Sequence, residues 1–388
     1  MPLALYAQFL AAFSIGTTEF VVAGLLPEIS RDLAVPIPTA GLLVSVYAIG
    51  VAVGGPALSL LTSRFPQKLM LLVLMGIFVL GHVFCAMAPT FKLLLAARVV
   101  VSMSHGNFFG LAAIIAVGLV HENKQGAALA VVFAGITVAN ILGVPIGTAI
   151  GNAFGWRATF WIVGGVAVLA AIALIVFIPN TSVQSRANQS LRLQFAVLGN
   201  QKVYTSYAII ILMMIGFWSV FTFVSPILTH VSGIAPQTVP WVLLLFGVGA
   251  TIGILIGGRL ADRVPEATLI AGFPAQFLVY ALMLVLNRNP AAMSFLLFCM
   301  GVTGFVVGAL LQNRILKGAA ASPHLASTMI STVFNIGIAT GASLGAIALS
   351  HGVDYALLPA IGCALALGTT AIAVVAARLD RRVSRSTV

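Results

Sequence analysis

The stretch MPLALYAQFLAAFSIGTTEFVVAGLL, residues Met1 to Leu26, contains a single charged side chain, Glu19. A run of this length predicts a membrane-spanning helix, since about 20 apolar residues cross the hydrocarbon core of a bilayer. It lacks the basic start of a cleavable signal peptide, and its apolar part is too long for one. We therefore expect a first transmembrane helix that stays in the protein, with an outer end marked by Pro27.

The rest of the chain has the same character. Of its 388 residues, 61% are hydrophobic and only 7% are charged, and the mean hydropathy is +1.13. Soluble domains carry about 25% charged residues, so a soluble fold is excluded. Because the alternating pattern of barrel strands is absent, we predict an all-α membrane protein.

Breaks at charged residues, prolines and asparagines divide the chain into twelve apolar segments. We predict transmembrane helices over residues 4–26, 39–62, 69–88, 91–119, 126–153, 157–178, 203–230, 239–260, 267–286, 291–315, 325–350 and 354–377.

The two halves of the chain repeat. SLLTSRFPQ (Ser59–Gln67) and GRLADRVPE (Gly258–Glu266) align at a shift of 199 residues, and glycines recur at similar shifts. The matched glycines are Gly50/Gly54 with Gly249/Gly253, Gly106/Gly110 with Gly304/Gly308, and Gly143/Gly147/Gly151 with Gly337/Gly341/Gly345. Parallel six-helix halves are found in one large class of transporters, so we predict two pseudo-symmetric six-helix bundles.

The longest polar segment divides these bundles. NTSVQSRANQSLRLQ, residues 180–194, follows the sixth helix. We predict an N-terminal bundle over 1–179, a linker over 180–202, and a C-terminal bundle over 203–388 that ends in a short basic tail.

Basic residues predict the orientation of the chain. If the N-terminus is cytoplasmic, fourteen of the 19 Lys and Arg residues lie in inner loops or the tail, and four lie in outer loops. Inner loops of membrane proteins are enriched in Lys and Arg. We therefore place both termini in the cytoplasm of a bacterial cell, and the net charge of +11 gives no reason to expect a nucleic-acid partner.

Glu19 and Arg98 are charged residues deep inside predicted helices. A charge at a helix centre costs roughly 2.5–3.5 kcal/mol on insertion scales, so a function is the natural reason to retain one. Burial disfavours the charged form of a carboxyl group, which lets it exchange protons near neutral pH. Both residues lie about 12 Å below the outer boundary, at 1.5 Å per residue. We predict that they share a cavity. His105 follows Arg98 by seven residues and so lies near the same face of the helix, and we predict that it joins them in proton coupling.

His82 is a second candidate proton relay, although a structural role explains either histidine equally well. Other polar and aromatic side chains lie in apolar segments, where they face a bundle interior or a solute cavity. We predict that the following residues line a substrate cavity: Asn107, Asn140, Phe217, Trp218, Phe221, Gln312 and Asn335. Helix-to-helix hydrogen bonding and lipid contact are the alternatives.

Conformational gating is predicted for two groups of residues. The first lies at the repeated loops, and the second lies in a ladder of glycines spaced by four, which allows close helix approach. These residues are Arg64, Asp262, Arg263, Gly143, Pro145 and Gly147. Tight packing alone also explains the ladder.

Motifs of enzymes and metal sites are missing or out of context. Gly341-Ala342-Ser343-Leu344-Gly345 matches the G-x-S-x-G of hydrolases, but that motif requires a strand–turn–helix. There is no P-loop and no H-E-x-x-H, and the three cysteines are far apart. We expect no enzyme activity, no metal and no cofactor, with a proton gradient as the energy source.

Several motifs together resemble the major facilitator superfamily, over about residues 3–378. GGRLADR (Gly257–Arg263) resembles its loop signature, although Ser63 replaces the acid in the first-half copy. LLAARVVVSMSHGNFFG (Leu94–Gly110) resembles the helix 4 signature, and LGVPIGTAIGNAFGWRATF (Leu142–Phe160) resembles the helix 5 signature of exporters.

GTTEF…GLLPEI and TAGLLVSVYAIGVAVGGP (Thr39–Pro56) are similar to the twelve-helix drug/proton antiporter branch, including chloramphenicol exporters and arabinose- or purine-efflux-like permeases. The resemblance implies a monomeric, proton-coupled exporter of a small, partly apolar solute through the inner membrane, with Glu19 and Arg98 in proton coupling. Efflux of sugars or nucleosides is the alternative, as is uptake on the same fold. A membrane-embedded enzyme and a non-transporting receptor have less support, because neither a nucleophile–base pair nor a large soluble domain is evident.

Overall fold

The computed structural model describes residues 1–62, 65–179, 200–319 and 323–386. Nearly all of these residues are helical, and none of them forms a strand. Within this part of the chain, twelve segments are long and apolar enough to cross a membrane. The predicted all-α, multi-pass membrane fold is thereby confirmed.

Seven helices form the first half of the chain. They are α1 (Leu3–Asp32), α2 (Ile37–Thr62), α3 (Gln67–Met87), α4 (Phe91–Gly118), α5 (Gln125–Val138), α6 (Val144–Phe154) and α7 (Trp156–Phe177). A π-helical turn, Ala139–Gly143, joins α5 and α6 into one membrane span. Six spans therefore come from seven helices.

Six long helices form the second half. They are α8 (Gln201–Phe221), α9 (Val239–Arg263), α10 (Pro265–Leu286), α11 (Pro290–Gly318), α12 (Pro323–Ser350) and α13 (Leu358–Ser386). Asparagine side chains cap two of them. Asn200 and Asn289 accept hydrogen bonds from main-chain N–H groups in the first turns of α8 and α11. Such caps satisfy donors that a helix start leaves unpaired.

Three predicted helix boundaries are wrong. The first helix does not end at Pro27 but continues to Asp32, with the proline inside it. The seventh predicted helix, 203–230, is interrupted after Phe221 and resumes as the short turns Val224–Pro226 and Ile227–Val231. The last helix runs to Ser386 rather than 377. Proline inside a helix of a membrane bundle is tolerated because neighbouring helices compensate for the lost hydrogen bond.

The chain divides into two compact units. The N-terminal unit comprises Met1–Asn188 with Pro236–Leu244, and the C-terminal unit comprises Gln189–Ala235 with Leu245–Val388. Pro236–Leu244, which lies in the predicted C-terminal bundle, is part of the N-terminal unit, where the Pro236 carbonyl accepts a hydrogen bond from Asn152 Nδ2 at 2.8 Å. The predicted linker, except for its last three residues, lies outside the described residues.

The same helix pairs form inside each unit. In the N-terminal unit α1 contacts α5 and α7, and α3 contacts α4 and α7. In the C-terminal unit α8 contacts α12 and α13, and α10 contacts α11 and α13. These are equivalent pairs when the spans of each half are counted from its start. The internal repeat seen in the sequence therefore corresponds to a repeat in packing.

The repeated glycines explain how these helices approach one another. Gly54 of α2 faces the main chain of Met103 on α4, and its partner in the repeat, Gly253 of α9, faces Val302 on α11. A Cβ atom at Gly253 would lie 2.5 Å from the Val302 carbonyl oxygen. Small residues let membrane helices pack backbone to backbone, so this part of the pattern encodes packing.

The π turn before α6 has a local cause. Pro145 carries no main-chain N–H and sits in the first turn of α6, so it cannot continue the regular hydrogen-bond ladder. The Val144 N–H instead bonds five residues back, to the Ala139 carbonyl. Turns of this kind are frequent at functional sites, and this one places Asn140 inside the widened segment.

Candidate functional site

The site is centred on the guanidinium group of Arg98. Arg98 lies on α4, eight residues after the Thr90 side chain that caps the helix, and it is 0% exposed. Burying an arginine in an apolar bundle is expensive unless its charge and its N–H groups are compensated. The partners of this one side chain therefore show what the site is built to do.

Arg98 has few partners. Its Nη1 donates to the main-chain carbonyl of Thr18 on α1 at 3.2 Å. Its guanidinium lies 4.0 Å from the centre of the Tyr47 ring on α2, an arrangement in which the ring face attracts the cation. Among the described residues, Nε and Nη2 have no hydrogen-bond partner. The arginine is thus held on one side and left unsatisfied on the other.

Glu19 lies next to this arginine in space. It follows Thr18 on α1, is partly exposed, and interacts electrostatically with Arg98. No hydrogen bond or ion pair within 4.0 Å joins its carboxylate to a described residue. Glu19 and Arg98 therefore interact electrostatically without forming a salt bridge to each other, and a cavity shared by the two stays a prediction.

Two histidines flank the arginine. His82 Nε2 lies 2.6 Å from the Thr18 hydroxyl, and its Nδ1 lies 2.8 Å from the Phe78 carbonyl oxygen. His105 Nδ1 lies 3.0 Å from the Tyr47 hydroxyl. Both rings are buried, so the histidines predicted as proton carriers are each bonded to a residue that also contacts Arg98.

The charges of Glu19 and Arg98 set what this arrangement can do chemically. The Arg98 guanidinium is buried and the Glu19 carboxylate is partly exposed, and opposite charges attract more strongly where water is scarce. Protonating Glu19 would remove its attraction for Arg98, and a polar solute or water could take the two free donors. No such response is available to a fully satisfied ion pair.

The structure places the predicted cavity amides differently from one another. Asn107 is buried on α4, and Gln312 is exposed on α11. Asn140 and Asn335 are both buried, and each donates from Nδ2 to the carbonyl four residues earlier. Their Oδ1 atoms have no partner among the described residues. A solute contact for any of these amides stays a prediction.

The predicted aromatic residues lie inside the C-terminal unit. Phe217 stacks on Phe221 at 5.6 Å between ring centres, and Phe221 lies 4.5 Å from Phe246. Trp218 contacts the rings of Phe217 and Phe221. All four side chains are at most 3% exposed. They form one packed cluster, which we call the aromatic cluster: Phe217, Trp218, Phe221 and Phe246.

The predicted gating residues are only partly described. Arg64 lies outside the described residues, and Arg263 is exposed at the end of α9. Asp262 accepts hydrogen bonds from Asn313 at 3.3 Å and Lys317 at 3.4 Å, which ties the end of α9 to α11. A gating role for this exposed contact remains a prediction.

The glycine ladder packs within its own unit. Gly143 faces the Thr17 side chain, and Gly147 faces Val21, both on α1. Pro145 lies between them on α6 and is buried. These contacts correspond to the tight-packing alternative, while a role in opening and closing is still a prediction.

The sequence did not reveal the residues that hold Arg98. No role is predicted for Thr18 or Tyr47, because they precede Arg98 by 80 and 51 residues and lie on other helices. A tyrosine in a glycine-rich helix was the available signal for Tyr47. The partly buried pair of Arg314 and Asp380, 2.9 Å apart near the ends of α11 and α13, was also missed.

Groups that would hold a metal are not found. Within the described ranges, no three His, Cys, Asp or Glu side chains cluster closely enough to bind an ion. Cys85 is buried, and Cys299 and Cys363 are partly buried and unpaired. Nothing in this part of the chain suggests cofactor chemistry at Arg98.

Comparisons with known proteins agree with this architecture. The family model described as Major Facilitator Superfamily matches residues 8–346. The chain is 37% identical to the inner membrane transport protein YdhP of Escherichia coli K12, over 93% of this chain and 92% of that one. It is 34% identical to the chloramphenicol resistance protein of Streptomyces lividans, over 90% of each.

A solved structure extends the agreement to the fold. The inward-facing, unoccupied crystal structure of a bacterial homologue of the human lysosomal transporter Spinster matches with a TM-score of 0.69. The match covers 97% of this chain and 95% of that one at 16% sequence identity. At this identity the likeness concerns the fold alone.

Proposed function

The chain belongs to the Major Facilitator Superfamily, and we propose that it is a proton-coupled exporter of a small, partly apolar solute. It is a membrane transporter rather than an enzyme. The observation that carries the proposal is the unsatisfied charge pair in the N-terminal unit. Among the described residues, two nitrogens of the fully buried Arg98 have no hydrogen-bond partner, and the Glu19 carboxylate, which interacts electrostatically with Arg98, has none either.

The incompletely paired charges of Glu19 and Arg98 lower the stability of the protein, so we infer that they are retained for a function. A charge in the membrane interior costs roughly 2.5–3.5 kcal/mol on insertion scales, and a buried unpaired donor costs about 1–3 kcal/mol more. A purely structural pair would be closed into a salt bridge, as Arg314 and Asp380 are at 2.9 Å. An open pair is suited to taking up and releasing a proton.

We infer a cycle of alternating access. A proton from outside neutralises Glu19, weakens its attraction for Arg98, and favours one orientation of the protein. Solute favours the opposite orientation or competes for the same site, because coupling between two ligands is reciprocal. The energy source is the proton gradient, with no cofactor, and the functional form is a monomer in the bacterial inner membrane with both termini in the cytoplasm.

Export is favoured over uptake by the relatives and by the sequence of the fifth span. One relative is named a chloramphenicol resistance protein, and a membrane transporter would provide such resistance by exporting the compound. An amphenicol-like solute is therefore the first candidate. Sugars or nucleosides are the second, and no charged cluster of the kind that binds multiply charged solutes surrounds Arg98.

The test follows protons in everted membrane vesicles. A pH-sensitive dye reports the gradient while chloramphenicol, tetraphenylphosphonium, arabinose or inosine is added. The variants are wild type, Glu19→Gln, and Glu28→Gln as a matched control. Glu28 is a second acid on the same helix, but it is paired with Arg31 at 2.7 Å and lies near the helix end.

We expect one compound to collapse the gradient in wild type and in Glu28→Gln, but not in Glu19→Gln. Accumulation of the radiolabelled compound inside everted vesicles would establish export. A Glu19→Gln variant that moves protons like wild type, at equal protein level, would remove Glu19 from the mechanism. Solute uptake in right-side-out vesicles, driven by an inward proton gradient, would overturn the direction.

A further inference from the structure

We propose that Thr18 and His82 are positioning residues for the Glu19–Arg98 pair, an inference that rests on the proposed function. The hydrogen bond between their side chains fixes the Thr18 segment of α1. The Thr18 main-chain carbonyl then holds the Arg98 guanidinium at its distance from Glu19. In this role His82 carries no transported proton.

The hydrogen bonds assign the state of the His82 ring. The Phe78 carbonyl oxygen only accepts, so His82 Nδ1, 2.8 Å away, carries the proton. We infer a neutral ring, because a second positive charge buried near Arg98 would be costly, so Nε2 accepts from the Thr18 hydroxyl at 2.6 Å. Both ring nitrogens are engaged, and His82 and Thr18 are each 0% exposed. A ring in this state has no free nitrogen for passing protons along.

Thr18 departs from the usual behaviour of a hydroxyl in a helix. Serines and threonines inside helices commonly bond back to the carbonyl four residues earlier. Ser14 and Thr17 on the same helix do so, at 3.0 Å and 2.8 Å. Thr18 instead donates across to α3. Its side chain is therefore used between helices, and its neighbour Thr17 is a natural control.

Thr18 joins three helices at one point. It belongs to α1, its hydroxyl bonds His82 of α3, and its carbonyl accepts the one hydrogen bond that Arg98 of α4 makes among the described residues. The position of the guanidinium therefore depends on where this turn of α1 lies. Apart from that bond, only the stack on the Tyr47 ring guides it.

The position of the His82 side chain is itself fixed from two sides. Its ring lies 4.2 Å from the Phe78 ring on its own helix, centre to centre. Gly164 of α7 packs against its Cβ, where an added methyl group would approach to 3.2 Å. The histidine is thus a rigid anchor point for α1, supported by α3 and α7.

The ionisable groups around Arg98 come from each helix packed against it. Glu19 faces it from α1 and Tyr47 from α2, while His82 and Cys85 face it from α3. His105 lies on α4 itself. With His82 neutral, Glu19 and Arg98 are the charged pair that the Thr18 segment positions, so a change in their separation is what a pH profile would register.

The experiment compares three threonine variants in the dye assay, using chloramphenicol as the added solute. Thr18→Val keeps the shape and removes the hydrogen bond, Thr18→Ser keeps the hydroxyl, and Thr17→Val makes the same change one residue earlier. We expect Thr18→Val to move the midpoint of the pH profile upward by about one unit. A guanidinium that drifts away from Glu19 stabilises its charged form less. The other two variants should match wild type.

His82→Gln separates positioning from proton transfer. Glutamine cannot titrate in this range but still offers an acceptor to Thr18, so proton movement should persist at no less than a third of the wild-type rate. Complete loss of proton movement with normal solute binding would make His82 a relay and overturn the proposal. So would a Thr18→Val profile equal to that of Thr17→Val. If Thr18→Val does not reach the membrane, Thr18→Ala tests the same bond.

A second readout does not depend on transport. In ¹⁵N-histidine spectra of the purified protein, the His82 signal, assigned by its absence in His82→Gln, should show a protonated Nδ1 and a bonded Nε2. Thr18→Val should shift the Nε2 signal and Thr17→Val should not. A doubly protonated ring, or no shift in Thr18→Val, would overturn the inference. A wild type that moves no protons with any probe would instead refute the proposed function while leaving this spectrum to be read.

Discussion

Each unit carries an arginine on its fourth span, Arg98 fully buried and Arg314 partly buried, and the two are held in opposite ways. Arg314 of the C-terminal unit binds Asp380 through two nitrogens and also donates to the Lys202 carbonyl and to two hydroxyl groups. Arg98 of the N-terminal unit makes one hydrogen bond among the described residues. A satisfied arginine fixes a structure, whereas an unsatisfied one remains able to respond.

The interiors of the two units differ in the same sense. Ionisable side chains from four helices surround Arg98, whereas the aromatic cluster fills the corresponding depth of α8 in the C-terminal unit. Equivalent helix packing therefore supports a core with ionisable side chains in one unit and an aromatic core in the other. The following changes would break or sharpen this contrast.

The largest effect is expected from Arg98→Met. Solute-driven proton movement should fall on the order of 100-fold, equivalent to about 2.7 kcal/mol, because the partner charge of Glu19 is lost. The melting temperature in detergent should stay the same or rise, since a poorly satisfied buried charge gives little stability. A marked loss of folded protein would show that Arg98 is structural and that the contrast with Arg314 is false.

Arg314→Met should have the reverse pattern. It removes hydrogen bonds that join α11 to α8 and α13, and its side chain is 11% exposed against 27% for Asp380. We expect a loss of about 1–3 kcal/mol in unfolding free energy, between the values for exposed and buried pairs, with an unchanged pH profile for the remaining transport. Lys317→Met is the control. The Lys317 and Asp262 side chains, which form an ion pair, are 64% and 72% exposed, so the loss of this contact should not change the melting temperature.

Glycine substitutions test whether packing is equally tight in both units. At Gly341 a Cβ atom would lie 2.5 Å from the Ile215 carbonyl oxygen, whereas at Gly143 it would meet the Thr17 side chain. Main chain yields less readily than a side chain, so Gly341→Ala should cost about 1–3 kcal/mol and Gly143→Ala less. Gly110→Ala and Gly308→Ala, which face open space, should be neutral in the same melting assay, and equal losses at all four sites would refute the argument.

The smallest effect should come from Tyr47→Phe. The ring under Arg98 is kept and only the hydroxyl bonded to His105 at 3.0 Å is lost. A single hydrogen bond is worth about 0.5–1.5 kcal/mol, so the transport rate should change by about 2- to 13-fold. Tyr47→Leu, which also removes the cation–ring contact, should be clearly worse. If the two variants behave alike, the ring does not help to hold the guanidinium.

Much of the fold was predictable because hydrocarbon imposes simple rules. Length and apolarity located all twelve spans, and repeated glycines predicted equivalent helix pairs. The common depth of Glu19 and Arg98 in the membrane stays a prediction, because the first helix does not end at Pro27, from which the depth of Glu19 was counted. Helix ends were less predictable, as at Pro27, because neighbouring helices can compensate for a proline. The partners of Arg98 were not predictable, since contacts such as Thr18–His82 depend on the rotation of three helices at once.

The Asp32 carboxylate has a consequence for how the N-terminal unit is assembled. It accepts hydrogen bonds from Trp156 and Arg157, residues 124 and 125 positions later, and Arg157 also donates to the Ala88 carbonyl. During synthesis the ribosome delivers α1 and α3 long before the start of α7. The hydrogen bonds at the ends of α1 and α3 therefore form only after the start of α7 has been synthesised. These contacts complete the N-terminal unit late in its synthesis, after its first hairpins have formed.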